Sequence, residues 1–229
     1  MNRSSLLIAL LLLFPAFAMA QSIVYVMPNG AGAQNGTSWS NALNGSSLRT
    51  VLRQSPAFTQ VWVAAGTYKP HPTVRDSTFF IHSNIKVYGG FAGNETQLSQ
   101  RNWTNNLTIL SGDIGIQNDT SDNSLHVVMF ENAGDSTLLD GFRITAGNAS
   151  GGYNSSLDGM GGGILNFSNA NPGLPGISSP NIRNCTIRKN FSRDGGGITE
   201  MLFNTCNTRY YNCLIDSNFA YNNGGGFGT

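Results

Sequence analysis

Apolar and polar residues alternate along two short segments of similar sequence, NCTIRKNF at 184–191 and NCLIDSNF at 212–219. A period of two is typical of β-strands that bury one face. The segments lie 28 positions apart, and GFRITAGN at 141–148 reads as a degenerate third copy. Equivalent strands at a fixed period predict a solenoid whose coils stack in parallel. We expect three sets of stacked residues: Phe142, Cys185 and Cys213 in one internal column, Ile144, Ile187 and Ile215 in the next, and the amides of Asn190 and Asn218 at one corner.

A triplet of glycines follows each of these strand segments. The triplets are Gly161, Gly162 and Gly163; Gly195, Gly196 and Gly197; and Gly224, Gly225 and Gly226. Glycine tolerates the backbone of tight turns, so each triplet is expected to form a corner, after which Ile164, Ile198 and Phe227 resume the inward face. A glycine-rich phosphate loop, the competing interpretation, needs a following helix and usually a lysine, and the pattern predicts neither.

The distance between copies changes by insertion. Ile144 and Ile187 are 43 positions apart, whereas Ile187 and Ile215 are 28 apart. The difference predicts two loops that project from a coil of constant size, at 149–158 and 169–179. Insertions in solenoids often gather on the face used for contact. We therefore expect any binding surface on these loops, with Tyr153 and Asn154 as the first residues to test.

The segment before the repeats has a different pattern. SIVYVMPNG and QVWVAAGTY read as strands, and SSLRTVLRQS at 46–55 predicts a short helix that covers the open end of the core. The fold expected is all-β, a right-handed parallel β-helix, with an N-terminal cap and first strands at 21–78 and coils at 79–229. Because three residues follow the last triplet, we expect an open C-terminal edge that continues into further coils.

The first twenty residues have the features of a secretory signal peptide. Arg3 precedes the apolar run LLIALLLLF, and the small residues Ala18 and Ala20 place cleavage before Gln21. A membrane anchor would need about 20 apolar residues, and Pro15 interrupts this run. The sequence thus predicts residues 1–20 as a signal peptide, with no transmembrane segment after it and a secreted or cell-surface location.

Composition removes two classes of partner and one class of fold. Charged residues make up 11% of the chain with a net charge of +1, so neither nucleic acid nor an anionic membrane is expected as a partner. The 3 cysteines have no metal-binding spacing and provide no disulfide framework. We expect Cys185 and Cys213 to be stacked free thiols.

The chain resembles a known group of bacterial proteins. The phrases that carry the resemblance are IVYVMPNGAGAQNGTSWSNAL, VWVAAGTYKP, VYGGFAGNE, LSGDI, LDGFRITAGNA and the GGGI repeats. They are similar to exported parallel β-helix proteins with the pectin-lyase-like fold, including large surface proteins of the Bacteroidetes and the repeats of chlamydial polymorphic outer-membrane proteins. The resemblance implies the fold, export to the cell surface or outer membrane and, for many Bacteroidetes members, type IX secretion. It implies no activity, because this fold carries both enzymes and adhesins.

Candidate catalytic groups are dispersed. The GHG, DD and RIK signatures of pectinolytic hydrolases are absent from the sequence, and His126 is expected to end a buried strand. A pair of catalytic carboxylates must lie within about 10 Å, and only stacking of coils could bring such a pair together. The acids considered are Asp140, Asp158, Asp194 and Asp216.

The segment SGDIGIQNDTSDN is the best candidate for an ion site. Its oxygen ligands suit Ca²⁺, which takes six to eight of them, although the spacing is not that of an EF-hand. A solvated turn is the competing interpretation. The candidate ligands are Asp113, Asn118, Asp119 and Asp122, with Asn123 beside them.

These observations favour a secreted or cell-surface β-helix that acts without catalysis, as an adhesin or a module that contacts glycans or proteins. The expected partner is a polysaccharide or a host or matrix surface, and no cofactor is expected apart from the calcium just described. Two alternatives remain open: a polysaccharide lyase or glycoside hydrolase with unrecognised active residues, and a passive spacer.

Overall fold

The chain forms successive coils of short strands. The computed structural model describes residues 22–150, 157–169, 176–201 and 205–228. The first two coils contain β1 (Ile23–Met27), β2 (Leu43–Asn44), α1 (Leu48–Gln54), β3 (Gln60–Ala64), β4 (Gly66–Tyr68) and β5 (Phe79–Phe80), and the third contains β6 (Lys86–Phe91), β7 (Thr108–Ser111) and β8 (Val128–Glu131). Short 3-10 helices lie at Trp39–Asn41, Gly45–Ser47 and Leu98–Gln100.

The last three coils add strands at two further corners. The fourth coil contains β9 (Leu138–Asp140), β10 (Phe142–Thr145), β11 (Asn148–Ala149), β12 (Ile164–Phe167) and β13 (Ile177–Ser178). The fifth contains β14 (Asn181–Arg183), β15 (Thr186–Arg188), β16 (Phe191–Asp194), β17 (Ile198–Met201) and β18 (Thr205–Cys206). The sixth contains β19 (Arg209–Tyr211), β20 (Leu214–Asp216), β21 (Phe219–Asn223) and β22 (Phe227–Gly228).

Strands of successive coils pair in parallel and build long sheets along the axis. One sheet has the order β19-β14-β9-β6-β3-β1-β2, the second β20-β15-β10-β7-β4 and the third β22-β17-β12-β8-β5. Two small sheets, β11-β16-β21 and β13-β18, line the remaining corners. The predicted fold class is confirmed: the molecule is a parallel β-helix. The described residues contain no helix with the length and hydrophobicity needed to cross a membrane.

The interior is built from columns of apolar side chains, one per strand position. Ile144 pairs with Ile187 and Ile187 with Ile215, in the predicted register. Ile144 and Ile187 are fully buried, whereas Ile215 in the last coil is partly buried. The helix α1 covers the first coils as expected, because Leu48 and Leu52 are fully buried in the same core.

The glycine triplets follow a more specific rule than the predicted corner. The first glycine of each has a positive φ, +60° at Gly161, +65° at Gly195 and +59° at Gly224, and makes the turn. In the first two triplets the third glycine leaves space for a neighbour instead: a Cβ at Gly163 would lie 2.7 Å from Nδ2 of Asn190. A Cβ at Gly197 would lie 2.8 Å from Nδ2 of Asn218. The triplet is therefore both a turn and a recess for an asparagine side chain.

The stacked asparagines form the predicted ladder. Asn190 Nδ2 donates to Asn218 Oδ1 (3.0 Å) and to the carbonyl of Ile144 (3.2 Å), and Asn190 Oδ1 accepts from the N–H of Gly147 (3.0 Å). Asn218 Nδ2 donates in turn to the carbonyl of Ile187 (2.9 Å). These bonds satisfy turn backbone that would otherwise be buried without partners.

The sequence comparison suggested coils of constant length, but the coils differ in length. Gly195 follows Ile187 by 8 positions, whereas Gly224 follows Ile215 by 9. The register between β16 and β21 shifts between Ser192 and Asp194. The additional residue is thus absorbed as a β-bulge, which changes one strand without moving the next corner.

The cysteines are free thiols in the described structure. Cys185 is buried, and Cys206 and Cys213 are partly buried. The thiol of Cys213 donates to the carbonyl of Ile182 (3.4 Å) in the previous coil. Burial raises the pKa of the Cys185 thiol above its ordinary value. The column positions therefore hold protonated thiols, as expected.

Candidate functional site

The loop residues predicted to bind a partner cannot be placed. Tyr153 and Asn154 lie outside the described residues, as does most of the second loop. The expectation that these loops form the binding surface stays a prediction.

The acidic residues of the candidate calcium loop bind their own backbone. Asp113 Oδ1 accepts from the N–H of Asn118 (3.0 Å), and Asp122 Oδ2 accepts from the N–H of Ile116 (2.7 Å). The Ser121 hydroxyl and N–H donate to Asp119 and lower the pKa of its carboxyl. Within the described chain, no group of three or more His, Cys, Asp or Glu side chains could hold a metal. The calcium site stays a prediction that these contacts do not support.

Three of the candidate catalytic acids lie in three different sheets. Asp140 is on β9, Asp194 on β16 and Asp216 on β20. Each pairs with an arginine: Asp140 with Arg101 (2.8 Å), Asp194 with Arg193 (2.8 Å) and Asp216 with Arg188 (3.2 Å). Stacking therefore does not join these three acids in a pair.

His126 lies two residues before β8 rather than at the end of a strand. It is buried, and its Nδ1 is 3.2 Å from the carbonyl oxygen of Gly161. Burial lowers the pKa of this imidazole, which favours the neutral form. The contact joins this segment to the glycine turn of the next coil.

A groove lies outside the corner between the first two long sheets, and we call it the corner groove. Its volume is about 380 Å³, and it extends across the third to the sixth coil. The side chains and backbone that line it are Trp103, Thr104, Leu107, Thr108, Gly141, Phe142, Arg143, Asn184, Cys185, Thr186, Asn212 and Leu214. Among these described residues there is one charged side chain, Arg143, and no carboxylate. The groove is therefore polar, aromatic at one end and electropositive.

Trp103 is held at the end of the groove by a tight loop. The positive φ of Gly90 (+92°) and its missing Cβ, which would lie 2.7 Å from the backbone of Trp103, let the loop pack on β6. Asn102 Oδ1 accepts from the N–H groups of Thr104 (3.1 Å) and Asn105 (3.0 Å). The guanidinium of Arg101 lies 4.9 Å from the centroid of the Trp103 ring. The ring is 37% exposed and yet fixed in orientation.

A ladder of polar side chains forms the wall beside Trp103. Arg101 pairs with Asp140 at 2.8 Å, and both side chains are 8% exposed. Asn184 Nδ2 donates to Asp140 Oδ1 (2.8 Å), and Asn212 Nδ2 donates to Asn184 Oδ1 (2.7 Å). The ladder connects four coils and orients the amides that line the groove.

Arg143 lies in an outward column of the second long sheet. It pairs with Ile109 on one side and Thr186 on the other, and Thr186 pairs with Leu214. Arg143 is partly buried, and its Nε has no hydrogen-bond partner among the described residues. A buried donor without a partner is costly, and the side chain that carries it lines the groove.

Sequence reasoning did not find this groove, although part of the signal was present. Asn184 and Asn212 are the first residues of the two repeat segments, and Arg143 aligns with Thr186 and Leu214 on the outward face of the copies. Trp103 is outside the repeats, and its approach depends on contacts between loops. No pattern within a single coil could place it there.

Comparisons with known proteins add little to this geometry. No family model matches the chain. No curated protein matches it. Among solved structures, the crystal structure of pectate lyase Pel9A is similar, with a TM-score of 0.48 and 15% sequence identity over 84% of this chain and 47% of that one. The chain spans about half of the length of that protein, and the similarity assigns no activity to it.

Proposed function

We propose that the protein is an exported, non-catalytic β-helix that contacts a glycan through the corner groove. The observation that carries the proposal is the combination of an exposed, fixed ring, Trp103, with the charged side chain of Arg143 in the lining of one groove. An aromatic face stacks on the apolar face of a sugar ring, while guanidinium and amide groups donate to its oxygen atoms. Asn184 and Asn212 supply such amides on the same wall.

The rigidity of the site supports binding more than a flexible surface would. The groove lies on paired strands and on a ladder of side chains that hydrogen-bond to one another. A preformed site loses less conformational entropy when a ligand binds. The proposed partners are therefore a polysaccharide or a glycan-bearing host or matrix surface.

A glycan array tests this proposal directly. The chain from Gln21 onward should bind a subset of glycans, and Trp103→Ala should abolish this binding. Phe58→Ala is the control: it removes a 62% exposed aromatic side chain outside the groove and should leave binding unchanged. Arg143→Gln should weaken binding with Arg209→Gln as its control. Equal effects of the groove variants and their controls would contradict the proposal.

Activity assays separate the remaining functions. Incubation with acidic polysaccharides, with and without Ca²⁺, should release neither the unsaturated products of a lyase nor the new reducing ends of a hydrolase. Product formation that Arg143→Gln abolishes would replace our proposal by a polysaccharide lyase or glycoside hydrolase. The absence of binding on every glycan would instead favour a passive spacer.

We also propose that residues 1–20 direct export and that the mature protein is secreted or held at the cell surface. The support is the sequence of this segment, with its basic start, apolar run and small residues before Gln21. Amino-terminal sequencing of the exported protein should begin at Gln21. A mature protein that retains Arg3 would contradict this assignment.

A further inference from the structure

A second cavity lies at the N-terminal end of the β-helix, between α1 and the segment that follows β4. We call it the basic pocket; its volume is about 470 Å³. Three basic side chains line it: Arg49 from α1, and Lys69 and His71 from the segment after β4. No lining residue that the structure describes carries a carboxylate. It shares no lining residue with the corner groove.

The charges of this pocket are uncompensated. In the described part of the chain, neither Arg49 nor Lys69 forms an ion pair, because the ion pairs there involve Arg101, Arg188 and Arg193. Charged residues make up 11% of the sequence and balance to a net charge of +1. Two cations around one cavity repel each other, and an anion between them would relieve this repulsion.

The helix that carries Arg49 and the ring of His71 are also held in place. Arg49 stands on a helix whose Leu48 and Leu52 are fully buried in the core. His71 Nδ1 accepts from the N–H groups of Thr73 (3.0 Å) and Val74 (2.9 Å). Because an accepting Nδ1 carries no proton, the proton of the neutral ring is on Nε2, which is left as a donor.

The floor and rim of the pocket are rigid. Tyr68 is 2% exposed, and its hydroxyl donates to the carbonyl of Ala64 (2.9 Å). Pro70 and Pro72 flank His71 and restrict the backbone on both sides of it. A site of this kind needs little reorganisation when an anion enters.

From this geometry we infer that the basic pocket binds a dianionic oxyanion group, a phosphate monoester on a small molecule or sugar. Arg49 can bind two oxygen atoms with its planar fork, Lys69 contributes a compact charge, and His71 Nε2 donates a single hydrogen bond. The two formal positive charges match a dianion better than a carboxylate. This inference does not depend on the corner groove.

Calorimetric titration tests the inference with four probes: glucose 6-phosphate, N-acetylglucosamine 6-sulfate, glucuronate and glucose. Glucose 6-phosphate, the dianionic sugar, should bind saturably, and N-acetylglucosamine 6-sulfate, whose ester group carries a single negative charge, should bind more weakly. Glucuronate should bind about tenfold more weakly, which corresponds to about 1.4 kcal/mol, and glucose should not bind.

Matched variants separate a site from general charge attraction. Arg49→Gln with Lys69→Gln should lower the affinity at least about tenfold. Lys189→Gln with Arg209→Gln removes the same net charge outside the pocket and should leave it unchanged. Arg49→Lys keeps the charge but loses the fork, and should weaken binding. Thermal unfolding will show that each variant is folded.

The inference is overturned if glucose 6-phosphate does not bind saturably, or if the two double variants lose affinity equally. Loss of glycan binding in the Trp103→Ala variant with intact binding of the dianionic probe would show that the two sites are separate. Absence of saturable binding of the dianionic probe, with glycan binding still lost in Trp103→Ala, would reject the basic pocket and leave the corner groove in place.

Discussion

Replacing Asn190 by alanine should destabilise the β-helix more than any other change at the repeated asparagine corner. The side chain is 1% exposed. Its Oδ1 accepts from the N–H of Gly147, and its Nδ2 donates to the carbonyls of Ile144 and Arg188 and to Asn218. Alanine would leave the buried N–H of Gly147 without its side-chain acceptor.

The magnitude follows from these contacts. A buried donor left without a partner costs about 1–3 kcal/mol, and each lost hydrogen bond a net 0.5–1.5 kcal/mol or so. The unfolding free energy is expected to fall by about 3 kcal/mol. This figure is below the sum over all bonds, because three of them share the single Nδ2 group of Asn190. Asn218→Ala is the matched control, since Asn218 holds the same place in the last coil and is partly exposed. Water can replace its lost partners, so about 1 kcal/mol is expected there.

Urea unfolding followed by far-ultraviolet circular dichroism measures both variants. With a denaturant slope of about 2 kcal/mol per molar, Asn190→Ala should lower the midpoint by about 1.5 M and Asn218→Ala by about 0.5 M. Asn190→Asp, which keeps the shape and the acceptor but loses the donors, should be at least as damaging as alanine at neutral pH. A smaller effect at Asn190 than at Asn218, or a harmless Asn190→Asp, would refute the ladder as a source of stability.

Three further predictions follow from buried positions. Ile187→Asp should lower the unfolding free energy by several kcal/mol, because it buries a carboxylate. Arg188→Gln removes a partly exposed ion pair and should change the unfolding free energy by less than about 1 kcal/mol. Equal effects of the two variants in urea unfolding would show that the strand phase is wrong. Burial lowers the pKa of His126 below its ordinary value of 6.5, so the unfolded chain takes up a proton before the folded chain does as the pH falls. The unfolding free energy should therefore decrease below pH 6.5, by up to about 1.4 kcal/mol per pH unit. His126→Asn should flatten that pH profile, and an unchanged profile would exclude this residue as its cause. Alkylation under denaturing conditions and intact-mass analysis should find Cys185 and Cys213 as free thiols, and a mass that shows a bond between them would contradict the packing described.

The sequence predicted the parts of the fold that depend on the repeat. The column of Ile144, Ile187 and Ile215 and the ladder of Asn190 and Asn218 follow from one fact, that equivalent residues of a solenoid lie above each other. A period of two assigned their faces, and the fixed spacing assigned their register. Both are local patterns that stacking turns into contacts.

Features that depend on contacts between unlike segments could not be predicted. Trp39 packs over Trp62 and Phe91 on the outer face of the first long sheet, in a second apolar cluster that the alternation of strand residues does not indicate. The approach of Trp103 to Arg143 likewise depends on a loop of one coil and the strand of the next. The basic pocket required a helix to meet a proline-flanked turn, which no periodicity describes.

The equivalence of Asn190 and Asn218 has a genetic consequence. Because the Nδ2 and Oδ1 of each asparagine both bond to the coil before it, and Asn190 Nδ2 also donates to Asn218 in the coil after it, an in-frame duplication of one 28-residue unit would supply every new coil with the partners that it needs. The length of such a rod can therefore change through recombination without any compensating substitution at either end. A chain in which residues 188–215 are duplicated should fold with a melting temperature no lower than that of its parent, whereas a duplication shorter by one residue should not.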